Sequence, residues 1–188
     1  MRRGEDIPAR RYDARMIARE QNQPLCPEGD FRFWASVGLA ALGAYVLGCI
    51  AGFAPLIDAP GPEFTLIQRL SAAGAAAVWV ALCAGAGSLG FAAVSLVRGR
   101  PPGSAVDIAS RAFACVAVAS LCRFVPVGIP ALKVVFDSVA TAVAAAVLAR
   151  AAYRIAPLEA AAATAVGTGV LAGLASVAFV VTWAVRPG

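Results

Sequence analysis

The sequence contains no histidine, and only 14% of its 188 residues are charged. Without imidazole there is no histidine general base, no histidine-ligated haem and no histidine-containing zinc site. Soluble domains carry roughly a quarter charged residues. This chain is instead 60% apolar, with a mean hydropathy of +0.77. The little charge it has crowds into the start, where residues 1–32 hold 7 of the 16 Lys+Arg and 6 of the 11 Asp+Glu. That scarcity excludes a soluble globular enzyme, a disordered chain and a secreted disulfide scaffold. Cysteines number five, with no CxxC spacing, which argues against a disulfide framework or a thiolate metal site. Cys49, Cys83, Cys115 and Cys122 lie in apolar segments and read as small hydrophobes. A redox pair of Cys115 and Cys122, seven apart on one helix face, is the alternative. Also absent are a paired-carboxylate motif, a GxSxG turn, a Walker sequence and a Gly-rich phosphate loop. The expectation is a non-enzyme with no catalytic residue, no metal and no cofactor. The net charge of +5 is no nucleic-acid footprint either, because the basic residues sit at segment ends rather than in a patch.

Long apolar runs are what the chain has instead. A hydrocarbon core of about 30 Å requires around 20 helical residues. Phe33 to Ile57, Leu70 to Val97 and Ala160 to Val185 supply 25, 28 and 26 residues without a charge. The first run is too long for a signal peptide and follows a charged tail rather than a short basic region. The middle is less regular. Ala112 to Cys122 is apolar but short, Arg123 follows, and Pro126, Gly128 and Pro130 should stop a helix before Ala131. The pattern predicts an all-α integral membrane bundle of five transmembrane segments, about 33–57, 70–97, 105–124, 131–150 and 158–185. Residues 1–32 form a polar cytoplasmic tail and 33–188 the membrane domain. Four segments, with the third re-entrant or shallow, is the alternative.

Charge sets the orientation. With the N-terminus inside, the tail, Arg98, Arg100, Arg111, Arg150 and Arg154 place 12 basic residues in the cytoplasm. Arg69, Arg123, Lys133 and Arg186 place 4 outside, as the positive-inside rule requires. Phe31, Phe33, Trp34 and Trp183 suit interfacial aromatic belts. Trp79, mid-segment, should face protein.

The predicted helices are rich in small residues, and Gly48-x-x-x-Gly52 and Gly169-x-x-x-Gly173 match the pattern that lets helix backbones approach. Charges inside the membrane are default functional candidates. Lys133 and Asp137, spaced i,i+4, share a face and can pair. Asp137 then reads either as an ion-coupling carboxylate or as half of a neutralised pair with Lys133 snorkelling to the interface. Asp107 and Arg111 form a second such spacing.

A family resemblance enters at the first loop, Asp58-Ala59-Pro60-Gly61-Pro62-Glu63-Phe64. A long small-residue helix and the basic linker Arg98-Gly99-Arg100-Pro101-Pro102 follow it. A short apolar segment comes next, then a break at Val127-Gly128, another helix, the Arg150 to Arg154 junction and a final helix. This succession, over Asp30 to Gly188, resembles the small membrane subunit of tripartite tricarboxylate transporters, the TctB-like family. That family has a Gly-Pro-Gly-Phe-Phe-Pro-type loop between its first two helices. Here Glu63 stands where the family favours Gly, and Thr65-Leu66 replace the second aromatic and the proline. The resemblance implies a bacterial inner-membrane subunit without a transport pathway of its own. Its partners would be a larger multi-helix permease and, in the same system, a periplasmic binding protein for carboxylates. Pro60, Gly61, Pro62 and Phe64 would form a rigid partner-contacting turn. Two other classes stay open from the residues alone: an autonomous small transporter or channel, for which Asp137, Lys133 or Arg123 would have to line a pathway, and a structural or assembly subunit of another membrane complex.

Overall fold

The structure, a computed structural model, describes Cys26, Val127 and residues 29–51, 65–125 and 130–184. All regular structure among them is helical: α1 (Phe31–Ala51), α2 (Leu66–Val97), α3 (Ala105–Ser120) with a 3₁₀ turn (Leu121–Phe124), α4 (Pro130–Tyr153) and α5 (Pro157–Ala184). Five helices are long and apolar enough to cross a membrane. The third settles the span count. Ala105–Phe124 is a continuous 20-residue span and the most buried of the five, so it is central rather than shallow. It accommodates Asp107 and Arg111 because both side chains are buried against neighbouring elements instead of facing lipid.

The helix ends follow local chemistry. Hydropathy places the start of α2 at Leu70, but the helix begins four residues earlier. Thr65 and Gln68 form a capping box, in which Gln68 N–H donates to Thr65 Oγ1 (3.5 Å) and Thr65 N–H to Gln68 Oε1 (3.0 Å). Arg69 then donates to the Ile50 carbonyl in the last turn of α1 (3.3 Å), where a cation suits orphan carbonyls. The α3 span tightens to 3₁₀ geometry just before Pro126, whose ring disfavours a helical residue ahead of it. Pro130 and Pro157 each open a helix, at the one position where a missing N–H costs nothing. Between α4 and α5 the chain reverses through Arg154, at φ +54°, a left-handed C-terminal turn made without glycine.

In the bundle, α3 packs on α1, α2 and α4, while α5 packs on α2 and α4. Thus α2, α5, α4 and α3 make a four-helix ring, with α1 laid over the α2–α3 seam. Glycines set the closest approaches. At Gly90 an added Cβ would stand 2.3 Å from the Ala163 carbonyl oxygen, and at Gly167 one would stand 3.1 Å from that of Ala86. The α2–α5 crossing is therefore built on Ala86-x-x-x-Gly90 against Ala163-x-x-x-Gly167. The expected motifs do other work. Gly48 is a socket for the Phe124 ring, Gly52 lies outside the described residues, and Gly169 and Gly173 face open space.

At the start of α1, Phe31 and Phe33 are exposed, whereas Trp34, expected in the same aromatic belt, packs inward against the core. Trp183 lies in α5, its side chain outside the description. A reporter fused after Gly103 should read as cytoplasmic and one after Gly188 as external, as five spans with the basic ends inside require. A cytoplasmic C-terminus would contradict that orientation.

Candidate functional site

The ring encloses a cavity because its diagonals stay apart. The backbones of α2 and α4 do not meet, nor do those of α3 and α5. The facing positions are small: Gly87 on α2, Ala112 on α3, Ala142, Ala145 and Ala149 on α4, Ala163 and Gly167 on α5. Side chains of that size cannot fill the centre of a four-helix ring, and a cavity of about 260 Å³ remains. The cavity opens at one end, so a ligand can enter it.

The two ends of the cavity differ. Its floor is closed across the α2–α4 diagonal by Phe91 and Tyr153, whose rings stack at 3.6 Å. The Tyr153 hydroxyl donates to the Ile108 carbonyl (2.7 Å), so the polar end of the ring is engaged with α3. Toward the other end the walls become exposed, at Trp79 (42%), Ser138, Ala142 and Thr168. Trp79, expected to face protein, instead lines the open end of the cavity and is exposed. Arg123 and Ser120 also line this end.

Arg123 has few partners. Its Nη1 donates to Tyr45 Oη at 3.4 Å, its Nε is buried with no acceptor, and no carboxylate pairs with it among the described residues. Thr141 Oγ1, on the cavity wall, is likewise buried without a partner among those residues. The neighbouring charges satisfy each other. Lys133 Nζ donates to Asp137 Oδ1 (2.5 Å) and to the Arg123 carbonyl (2.6 Å). The i,i+4 pair expected from the sequence is formed, but Lys133 is 6% exposed and turns inward rather than snorkelling. The lysine fastens the start of α4 to the end of the 3₁₀ turn and so positions Arg123.

The opposite end of the bundle is a polar latch. Arg111 pairs with Asp30 (3.6 Å), donates to the Ala152 carbonyl and lies 5.4 Å from the Trp34 ring. Asp107 is buried beside it, with Oδ1 lacking a hydrogen-bond donor among the described residues. Glu159 accepts from Ala156 N–H (3.1 Å) and pairs with Arg98 (3.3 Å), tying the end of α2 to the start of α5. Cys26 is fully buried against Gly103, whose φ of +88° and backbone contact leave no room for a side chain. Burial pushes the Cys26 thiol up to about 11; Arg111 draws it back and Asp107 adds to the rise. At neutral pH it stays a thiol.

The loop residues singled out from the sequence, Pro60, Gly61, Pro62 and Phe64, lie outside the described residues. Cys115 and Cys122 are both free. No cluster of three metal-ligating side chains occurs among the described residues. Sequence reasoning missed the cavity and Thr141. The available signal was the run of Ala at 142, 145 and 149, spaced to hold one face of α4 small. Comparison with family models, curated proteins and solved structures finds no match.

Proposed function

We propose that this chain is a small non-catalytic membrane subunit that stabilises a larger multi-helix permease in a secondary transport system for carboxylates. The bacterial inner membrane, the carboxylate substrate and the periplasmic binding protein in this reading follow from the resemblance of the Asp58–Phe64 loop and the helix succession. The observation that supports a partner is the outer side of α5. On α4 the exposed side is large and apolar, with Val135, Val139, Val143 and Val147 spaced to meet lipid. On α5, Ala162, Ala165, Gly169, Gly173 and Ser176 form an exposed stripe of small residues bordered by the larger Val166 and Val177, and nothing lies within 4 Å of a Cβ added at either glycine. Lipid gains little from so smooth a surface, whereas a second helix gains close backbone contact. The pairing of Asp137 with Lys133 further supports a subunit over an autonomous ion-coupled carrier.

Recovery of the tagged chain from its native membrane in mild detergent tests this. A larger multi-helix protein should accompany it in fixed stoichiometry. Gly169→Leu with Gly173→Leu should reduce that recovery at least tenfold while leaving the amount of inserted chain unchanged. Phe64→Ala tests the loop in the same assay. Recovery of the chain alone, or of an equal amount of partner with the leucine variant, would refute the reading.

A further inference from the structure

We propose that the cavity is a lipid site, which takes one acyl chain of an anionic lipid and holds the acidic headgroup at Arg123. The inference stands apart from the subunit reading, because it concerns the inner faces of the ring rather than its outside.

Shape comes first. The lining on α4 runs from Tyr153 to Ser138, four turns or about 22 Å at ~1.5 Å per residue. One hydrocarbon leaflet is about 15 Å deep, so the cavity has the reach of a single long chain. A further helix, about 10 Å across, does not fit, since each neighbouring pair around the ring is already in contact. A polymethylene chain does.

The walls grade in polarity along that length. The closed end is the stacked Phe91 and Tyr153, with the tyrosine hydroxyl spent on α3. The open end offers Ser120, Ser138 and Thr141, and there the guanidinium of Arg123 keeps a buried Nε without an acceptor. An apolar tail and a polar, charged head match that order.

Charge identifies the head. Of the three ionised groups at this end, Lys133 and Asp137 cancel, leaving Arg123 with a net positive charge. A cation within a membrane-spanning segment calls for an anion or a polar cavity. Arg offers a phosphate or carboxylate two parallel donors, and Thr141 Oγ1 offers a third. Free fatty acid and anionic phospholipid share this chemistry.

The test uses the full chain purified in a neutral detergent and offered lipids in mixed micelles, with bound lipid counted by native mass spectrometry. The parent should retain about one phosphatidylglycerol per chain, at least tenfold over phosphatidylcholine. Palmitate binding in place of phosphatidylglycerol would assign the site to free fatty acid. Arg123→Gln should abolish the anionic preference. Because Arg123 also donates to Tyr45, Tyr45→Phe serves as the structural control and should keep the preference. Ala145→Leu, which fills the cavity without touching the charge, should lose bound lipid of either kind. Equal retention of neutral and anionic lipid, or full retention in Ala145→Leu, would overturn the proposal. So would displacement by millimolar succinate, which would make the cavity a site for a soluble carboxylate.

Discussion

Gly90→Ala should destabilise the protein by about 1–3 kcal/mol, and Gly90→Val by more, because the added carbon collides with backbone rather than with a side chain able to move. The Cβ would lie 2.3 Å from the Ala163 carbonyl oxygen and 3.0 Å from the Gly167 nitrogen. Relief requires α2 and α5 to part along the whole crossing, which also opens the wall of the cavity. Gly169→Ala, on the same helix but facing open space, should leave stability within about 0.5 kcal/mol. Reversible unfolding in mixed micelles of increasing SDS measures both. The two glycines therefore separate internal from external packing. Variants at Gly90 lose the chain itself, whereas bulky variants at Gly169 keep the chain and lose its partner. Equal stability of Gly90→Ala and the parent would show that the helices are not held at this separation.

Much of the architecture was legible because its determinants are local. Bilayer thickness fixes how long a run must be, prolines at 126, 130 and 157 punctuate the runs, and basic residues mark the ends. The α2 boundary escaped hydropathy because the Thr65–Gln68 capping box extends a helix through polar residues. Helix pairing was not legible. Alanine and glycine are so frequent that small-xxx-small matches carry no information about which faces meet. Gly169 and Gly173 stood out, yet Gly90 and Gly167 make the crossing. The cavity was hidden for the same reason, since Ala145 on an inner face and Ala162 on an outer face are identical in sequence. Arg123 was visible as a charge beside a loop and, under the channel reading, as one of the residues that would line a pathway; nothing in the sequence placed it at a cavity. Its place at the cavity depends on the 3₁₀ turn and on the Lys133 bond to its carbonyl, a contact between α4 and the end of α3 that sequence spacing does not show.

The largest effect is expected at Asp137. Its carboxylate lies 2.5 Å from Lys133 Nζ, and the two side chains are 13% and 8% exposed. Asp137→Ala leaves a buried ammonium with one neutral acceptor, the Arg123 carbonyl. Removing one member of a buried ion pair costs about 3–5 kcal/mol, a large part of the stability of a domain this size. The inserted protein should fall in abundance accordingly. Asp137→Leu combined with Lys133→Met removes both charges and keeps apolar volume, so most of that loss should return. Recovery should be incomplete, because the Arg123 carbonyl also loses its donor, at about 1 kcal/mol. The non-additivity of the double variant measures the pair directly. Asp137→Asn supplies the contrasting outcome. If it keeps normal abundance while transport by the assembled system stops, the carboxylate is moving an ion rather than holding a lysine. The ion-coupling role would then replace the structural one.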